Sequence, residues 1–148
     1  MGRVAFNHVG QCVADLERSK RFYVELLGFA LDREIQPTDD LSSQLMGLTP
    51  PLGLTAAYLV RDGLVLELLH YAADGQTQPF RPRGLNEPGL THLSVSVEDV
   101  DGTLARVPEL GGEVLAATNI GFGVFVRDPD GQLLEILPIA YRDGLDAR

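Results

Sequence analysis

The chain has 148 residues, of which 45% are hydrophobic and 22% are charged, and these values are typical of a folded globular protein. Its 12 basic and 21 acidic side chains give a formal net charge of −9 at pH 7, which argues against a nucleic-acid partner. A single cysteine excludes an internal disulfide, and no apolar run approaches the roughly 20 residues of a membrane-spanning helix. Because the start of the chain lacks a signal-peptide pattern, we expect a cytoplasmic protein without a membrane partner.

The two halves of the chain begin with the same pattern. Residues 7–19, with the sequence NHVGQCVADLERS, align with residues 91–103, THLSVSVEDVDGT, so that His8 matches His92. A repeat of this kind is typical of a duplicated supersecondary unit. The sequence therefore predicts two copies of one structural module.

A second pair of matching segments follows within each copy. The stretch VRDGLVLEL at 60–68 resembles VRDPDGQLLEI at 126–136, and in this alignment Glu67 matches Glu135. The offset between the copies is 84 residues at the histidines and 68 residues at the glutamates, so the first copy holds 16 additional residues. We place this insertion within 36–53.

Each copy has the residue pattern of a βαβββ module. Runs of alternating apolar residues predict the strands, and an aspartate followed by apolar residues at helical spacing predicts the helix. The predicted strands are 6–13, 29–35, 54–61 and 64–71 in the first copy and 90–97, 112–118, 123–127 and 132–138 in the second, and the helices begin after Asp15 and Asp99. The predicted boundaries are a first module at 4–72, a linker at 73–89, a second module at 90–138 and a C-terminal tail at 139–148.

The fold class is predicted to be α+β, with two tandem modules whose sheets form a shared cup that contains a metal. One helix covers only one face of each four-stranded sheet, so the bare faces are expected to line the cup. Strand alternation places His8, Glu67, His92 and Glu135 on these bare faces. A carboxylate inside an apolar strand is costly to bury unpaired, and two carboxylates with two imidazoles suit a divalent cation.

Other histidines and cup residues receive different interpretations. A lone strand histidine is more often a packing residue than a ligand, and we interpret His70 in this way because its alternation is opposite to that of Glu67. The residues that share the bare faces with the four ligand candidates are expected to contact a small-molecule substrate. They are Phe6, Cys12, Leu69, Tyr71, Ser94, Ser96, Leu133 and Leu137.

Residues 4–138 resemble the vicinal oxygen chelate superfamily, which includes glyoxalase I, methylmalonyl-CoA epimerase, extradiol dioxygenases, and the fosfomycin and bleomycin resistance proteins. The resemblance is carried by NHVGQCVADLERSKRFYVELLGF, LELL, GLTHLSVSVEDVD and RDPDGQLLEIL. It implies that the first and last strands of each module supply the metal ligands, which are His8, Glu67, His92 and Glu135 here. Imidazole and carboxylate ligands are compatible with Ni, Co, Mn, Zn, Mg or Fe.

The resemblance implies a glyoxalase-type enzyme, that is, a metal-dependent lyase, isomerase or epimerase. In such an enzyme Glu67 or Glu135 would transfer a proton next to a carbonyl while the metal polarises a substrate oxygen. The arginine and asparagine with which the family binds glutathione are replaced here by Cys12 and Tyr71. These replacements argue against lactoylglutathione as the substrate.

Three alternatives remain within the resemblance. An Fe(II) dioxygenase would use His8, His92 and Glu135, but it would also need a further pocket histidine and a tyrosine before the DPDG turn, where this chain has GVFVR. A methylmalonyl-CoA epimerase would carry a lysine-containing segment in place of that turn. A non-catalytic binder of the bleomycin resistance type would lack the metal ligands.

A homodimer is expected from the modular architecture. Each four-stranded sheet leaves edge strands, and pairing across a symmetric dimer is a common way to cover such edges. The linker 73–89, stiffened by Pro79, Pro82 and Pro88, is long enough for a site built within one chain or across two chains. We favour sites completed across the interface.

Overall fold

The computed structural model describes residues 2–145, which form two compact units. The first unit ends at Pro79 and the second begins at Phe80. Each unit is built around one four-stranded mixed sheet. No helix in this described part of the chain is long and apolar enough to cross a membrane.

The first unit contains four strands and two helices. The strands are β1 (Val9–Cys12), β2 (Ala30–Ile35), β3 (Leu54–Arg61) and β4 (Leu64–Tyr71), and the helices are α1 (Leu16–Arg21) and α2 (Asp39–Met46). The strand order is β1-β4-β3-β2, in which β1 runs parallel to β4 and the other pairs are antiparallel. A π-helical turn at Phe22–Leu26 extends α1.

The second unit repeats this arrangement. Its strands are β5 (Leu93–Val97), β6 (Glu113–Val114), β7 (Val124–Arg127) and β8 (Leu133–Pro138), and its helices are α3 (Val100–Arg106) and α4 (Ile139–Asp143). The strand order is β5-β8-β7-β6, again with the first and last strands parallel. The predicted α+β fold of two tandem βαβββ modules is therefore confirmed.

Local capping explains where the helices begin and end. The Asp15 carboxylate accepts a hydrogen bond from the Arg18 backbone N–H at 3.0 Å, and Asp99 accepts one from Gly102 at 2.9 Å. The segment that follows α1 ends at Gly28, whose φ of +69° favours glycine. These three residues were identifiable from the sequence because caps depend on local chemistry.

The helix side of the first sheet forms a continuous core. Leu66 and Leu68 of β4 are fully buried, as are Phe22 and Tyr23 of the helical segment. The Tyr23 hydroxyl donates a hydrogen bond to Gln11 of β1 at 2.9 Å, which shows that Gln11 faces the helix. In the second sheet Leu134 and Ile136 are equally buried. The opposite faces carry Glu67 and Glu135, and we call each of them the glutamate face.

Several segments differ from the predicted pattern. The insertion in the first copy is partly helical, because α2 lies within it. The Asp39 carboxylate at the start of α2 accepts hydrogen bonds from the backbone N–H groups of Leu52 and Gly53, both at 3.1 Å, and so connects the two ends of the insertion. The predicted strand at 112–118 is only two residues long and is followed by a 3-10 turn at Ala116–Thr118. The predicted tail begins with α4, and its residues 146–148 lie outside the described residues.

The predicted linker is divided between the two units. Gln76 donates hydrogen bonds to the carbonyl oxygens of Thr49 and Pro51, at 2.6 and 3.0 Å, which attaches the first part of the linker to the first unit. In the second unit Arg83 donates to the carbonyl oxygens of Pro88 and Leu90, at 2.9 and 3.2 Å. Side-chain contacts therefore organise a segment whose composition indicated a simple connection.

Candidate functional site

His8 and Glu67 form a close pair on the glutamate face of the first sheet. His8 lies just before β1, and its Nε2 atom is 3.1 Å from Oε2 of Glu67 in β4. The Nδ1 atom of the same ring is 2.6 Å from Asn7 Oδ1. Because an amide oxygen only accepts hydrogen bonds, the ring donates from Nδ1 in this contact, and Nε2 is the ring nitrogen that faces the carboxylate.

Tyr58 is the third member of this group. In the hairpin of β3 and β4 it lies directly opposite Glu67, and the edge of its ring packs against His8 with centroids 6.0 Å apart. The hydrogen bond from its hydroxyl to Glu67 raises the pKa of Tyr58, as do burial and the charge of Glu67, whereas nearby Arg33 opposes the rise. Only 8% of Glu67 is exposed, so this hydroxyl offsets part of the cost of burying the carboxylate.

His92 and Glu135 form the matching pair on the second sheet. The His92 Nε2 atom lies 3.8 Å from Oε2 of Glu135, and Thr91 Oγ1 is 2.9 Å from His92 Nδ1. The Ser94 hydroxyl donates a hydrogen bond of 2.8 Å to the same Glu135 oxygen. The Phe125 ring packs edge-on against His92 at a centroid distance of 5.3 Å, as Tyr58 does against His8.

The two pairs are equivalent in position but differ in their neighbours. Glu67 lies opposite Gly10 in β1, whereas Glu135 lies opposite Ser94 in β5. A Cβ atom at Gly10 would lie 3.5 Å from Glu67 Oε2, an ordinary van der Waals distance, so the first sheet has no side chain beside its glutamate at this position. The second sheet supplies a hydroxyl at the same place.

The chemistry of both pairs fits a divalent metal. Imidazole nitrogen and carboxylate oxygen are ligands of such ions, and a second contact at the other ring nitrogen is the usual way in which a ligating histidine is oriented. Asn7 provides that contact for His8, and Thr91 provides it for His92. Within residues 2–145 no three His, Cys, Asp or Glu side chains already cluster as a metal site. The structure thus brings the four predicted ligands together as two pairs.

Seven of the eight predicted substrate-contacting residues lie on β1, β4, β5 and β8, and Phe6 precedes β1. Cys12 of β1 is exposed and lies opposite Leu69. Burial raises the pKa of Tyr71, and the charges of Cys12 and Glu67 raise it further. Phe6 is 74% exposed. In the second sheet Ser96 lies opposite Leu137. The residues Leu69, Tyr71, Ser96, Leu133 and Leu137 are half-buried, and Ser94 is exposed.

His70, Tyr58 and Arg33 lie on β4, β3 and β2 of the first sheet. His70 neighbours Leu69 in β4 and lies opposite Thr55, on the helix side of the sheet, away from Glu67. Tyr58 could have been identified, because it stands four residues before the Asp62-Gly63 turn and Glu67 stands four residues after it. Arg33 also reaches this face, and alternation in β2 gave no indication of it.

Comparison with known proteins identifies a matching family. Residues 5–136 match the family model described as the glyoxalase, bleomycin resistance protein and dioxygenase superfamily. A lactoylglutathione lyase from Pseudomonas putida is 30% identical over an alignment that covers 89% of this chain and 83% of that protein.

Two solved structures share the fold at lower sequence identity. A glyoxalase family protein from Bacillus cereus superposes with a TM-score of 0.77 at 18% identity, covering 93% of this chain and 95% of that one. The fosfomycin resistance protein FosX from Listeria monocytogenes, solved in complex with Mn(II) and sulfate, superposes with a TM-score of 0.60 at 16% identity, covering 93% of each chain. A divalent metal is therefore bound by at least one protein with this fold.

Proposed function

Because this chain belongs to the glyoxalase, bleomycin resistance protein and dioxygenase superfamily, we propose that it is a divalent-metal-dependent enzyme of the glyoxalase type. The proposed reaction is the transfer of a proton next to a substrate carbonyl, as a lyase, isomerase or epimerase. The observation that carries this proposal is the repeated pairing of a histidine Nε2 atom with a glutamate Oε2 atom, at 3.1 and 3.8 Å. One module supplies each pair.

We assign the metal ligands to both modules. His8, Glu67, His92 and Glu135 would together hold one ion, which would supply polarisation of a substrate carbonyl oxygen when bound. The ion could be Ni, Co, Mn, Zn, Mg or Fe, since all accept nitrogen and oxygen ligands. Asn7 and Thr91 would orient the two imidazoles through their Nδ1 atoms.

The two carboxylates are the proposed proton carriers. A carboxylate oxygen of Glu67 or Glu135 would accept a proton from the carbon next to the carbonyl and return it to the neighbouring carbon. In an epimerase, the other glutamate, protonated beforehand, would instead donate its proton to the opposite face of the same carbon. Tyr58 and Ser94 would hold these carboxylates in place through their hydroxyl groups. Cys12 and Tyr71 stand at the positions that the family resemblance assigns to a glutathione-binding arginine and asparagine, so the proposed substrate is a small molecule without glutathione.

The first test is the metal content of purified variants. We expect that replacing His8, Glu67, His92 or Glu135 by Ala lowers the bound metal to a small fraction of the wild-type amount, because each variant loses a ligand. His70→Ala is the matched control, since this histidine faces the other side of β4, and it should retain the wild-type metal content. Full metal occupancy in His92→Ala, measured by elemental analysis, would contradict the ligand assignment.

The second test concerns the reaction. With candidate carbonyl substrates in deuterated water, the proposed chemistry predicts deuterium incorporation at the carbon next to the carbonyl. His8, His92 and Glu135 are also two histidines and one carboxylate, the ligand set that Fe(II) dioxygenases use. Oxygen uptake with a catechol is therefore measured in parallel. Oxygen uptake without deuterium exchange would identify the dioxygenase, and a metal-free protein that binds a small molecule unchanged would identify a binding protein.

A further inference from the structure

We propose that Arg33 forms an anion-binding subsite on the glutamate face of the first sheet, so that the substrate carries an acidic group such as a carboxylate. This inference rests on the proposed function, because it assigns the end of the substrate that does not contact the metal. It is carried by the backbone irregularity that directs Arg33, by the stacking of its guanidinium group and by its position relative to Glu67.

A β-bulge in β2 turns Arg33 toward the glutamate face. Leu31 pairs with Leu59, but Arg33 pairs with Tyr58, so the register shifts between Leu31 and Arg33 and Asp32 is the extra residue. In a regular strand Leu31 and Arg33 would share one face, because alternate residues point the same way. Bulges of this kind redirect side chains and are frequent beside active sites.

The contacts of the next residue confirm this orientation independently. Glu34 pairs with Lys20 of α1, so its side chain lies on the helix side of the sheet. Arg33 precedes Glu34 in the strand and therefore points to the other side. The guanidinium carbon of Arg33 accordingly lies 4.8 Å from the centre of the Tyr58 ring, on the face that carries Glu67.

Stacking on Tyr58 holds the guanidinium group while leaving its donors available. A guanidinium group stacked on an aromatic ring keeps its N–H donors directed outward, where they match the geometry of a carboxylate. In the described part of the chain the only acid that contacts Arg33 is Asp32, at 3.8 Å, and the two side chains are 65% and 50% exposed. Such an exposed pair is weak, so a substrate anion can replace Asp32.

The position of Arg33 relates it to the first metal-ligand pair. Gly10, Glu67, Tyr58 and Arg33 lie opposite one another on the four successive strands of the sheet. Because neighbouring strands are about 4.8 Å apart, the backbones at Arg33 and Glu67 are separated by roughly 10 Å, which the long arginine side chain shortens. A substrate whose carboxylate lies a few bonds from its reacting carbonyl would span this separation.

On the second sheet an apolar residue lies at the equivalent place. There Glu135 lies opposite Phe125, and the Leu115 backbone N–H donates to the Phe125 carbonyl at 3.0 Å, so Leu115 occupies the position that corresponds to Arg33. Arg127, which also lies on the glutamate face, is held by Glu113 and by the Gly131 carbonyl. The first module therefore supplies the subsite for the anion.

Matched probes test this subsite without knowledge of the substrate. The protein is loaded with Mn²⁺ and titrated by calorimetry with two hydroxamates that chelate the metal in the same way. One probe is succinic monohydroxamate, which ends in a carboxylate, and the other is its carboxamide analogue. We expect wild-type protein to bind the carboxylate probe about tenfold more tightly than the amide, as suits one charge-assisted hydrogen-bonded pair near solvent. Arg33→Gln should abolish this preference and leave binding of Mn²⁺ and of the amide unchanged.

Two further variants separate the subsite from a general effect of charge. Arg21→Gln removes a cation with the same 65% side-chain exposure and a comparable acidic neighbour, Glu25, and should retain the preference. Arg33→Lys should retain only part of it, because an ammonium group lacks the planar fork. Two outcomes refute the subsite alone, provided that the protein binds Mn²⁺. In the first, Arg33→Gln keeps the preference for the carboxylate probe over the amide probe. In the second, the wild-type protein shows no such preference. If another of the six candidate ions binds in place of Mn²⁺, the same titrations are made with that ion. A wild-type protein that binds none of Ni²⁺, Co²⁺, Mn²⁺, Zn²⁺, Mg²⁺ and Fe²⁺ refutes the proposed function and this inference with it.

Discussion

At the scale of single residues, the two ligand glutamates differ in the hydroxyl group that each accepts. Glu67 accepts from Tyr58 on the neighbouring antiparallel strand, whereas Glu135 accepts from Ser94 on the neighbouring parallel strand. The exposed side-chain fraction is 10% for Glu67 and 30% for Glu135. Glu67 is thus the more enclosed carboxylate, and it depends more strongly on its hydroxyl neighbour.

Tyr58→Phe tests this dependence. The variant keeps the ring that packs against His8 and Arg33 but removes the hydroxyl donor, so Glu67 should be less well oriented. Loss of an outer contact to a metal ligand typically weakens metal affinity by about 10–100-fold, and we expect an effect toward the lower end of that range in a metal titration. Tyr141→Phe is the control, because Tyr141 is an exposed tyrosine that stacks on Phe122. Equal metal affinity in wild type and Tyr58→Phe would show that the hydroxyl has no positioning role.

At the scale of structural elements, the two matching hairpins use their aspartates differently. Asp62 lies in the tight turn between β3 and β4, with a φ of +49° and an exposed side chain. Asp128 is only 3% exposed, and its Oδ1 atom accepts hydrogen bonds from the backbone N–H groups of Asp130 and Gln132, at 2.9 and 2.8 Å. The same three letters, Val-Arg-Asp, therefore precede one turn that depends on backbone conformation and another that depends on a side chain.

The same substitution at both positions should have different effects on stability. Asp128→Gly removes the acceptor of two part-buried N–H groups, and we expect the free energy of unfolding to fall by about 2–3 kcal/mol. Asp62→Gly places glycine at a positive φ, which it adopts without strain, and should change stability by less than about 0.5 kcal/mol. Urea denaturation of both variants measures this difference, and equal losses would mean that the Asp128 contacts contribute little.

At the scale of the whole molecule, the proposed metal site requires both compact units. Each unit provides one histidine and one glutamate, so four ligands for one ion must come from two modules. The modules can belong to one chain or to two chains of a dimer. We predict a homodimer with His8 and Glu67 of one chain and His92 and Glu135 of the other at each site, and light scattering that shows a monomer would contradict the dimer.

Mixing two defective variants distinguishes these arrangements. When His8→Ala and Glu135→Ala proteins exchange subunits, sites across the interface would give heterodimers with one intact site and one doubly damaged site, so metal binding should partly return. With sites inside one chain, every site would lack one ligand and binding would stay low. Absence of recovery after subunit exchange, demonstrated by differently tagged chains, would assign each site to a single chain.

The sequence by itself determined the features that depend on local chemistry and alternation. Asp15, Gly28 and Asp99 mark helix ends because capping involves residues within the same turn. The strands β3 and β4 have the predicted bounds, because an Asp-Gly turn fixes the register of the residues on either side. Repeat equivalence and alternation together indicated the ligand candidates, and within each module they indicated which histidine and which glutamate are neighbours.

The tertiary structure decided the features in which the backbone departs from regular alternation or a contact joins distant segments. The position of Arg33 depends on one extra residue in β2, and a bulge reverses the face of every residue that follows it without leaving a mark in the apolar pattern. The attachment of the linker through Gln76 and Arg83 depends on carbonyl groups that composition does not reveal. Asp128 is buried and Asp62 is exposed, although both follow the same two residues in the sequence. The surroundings of a side chain are set by the folded chain and not by its neighbours in sequence.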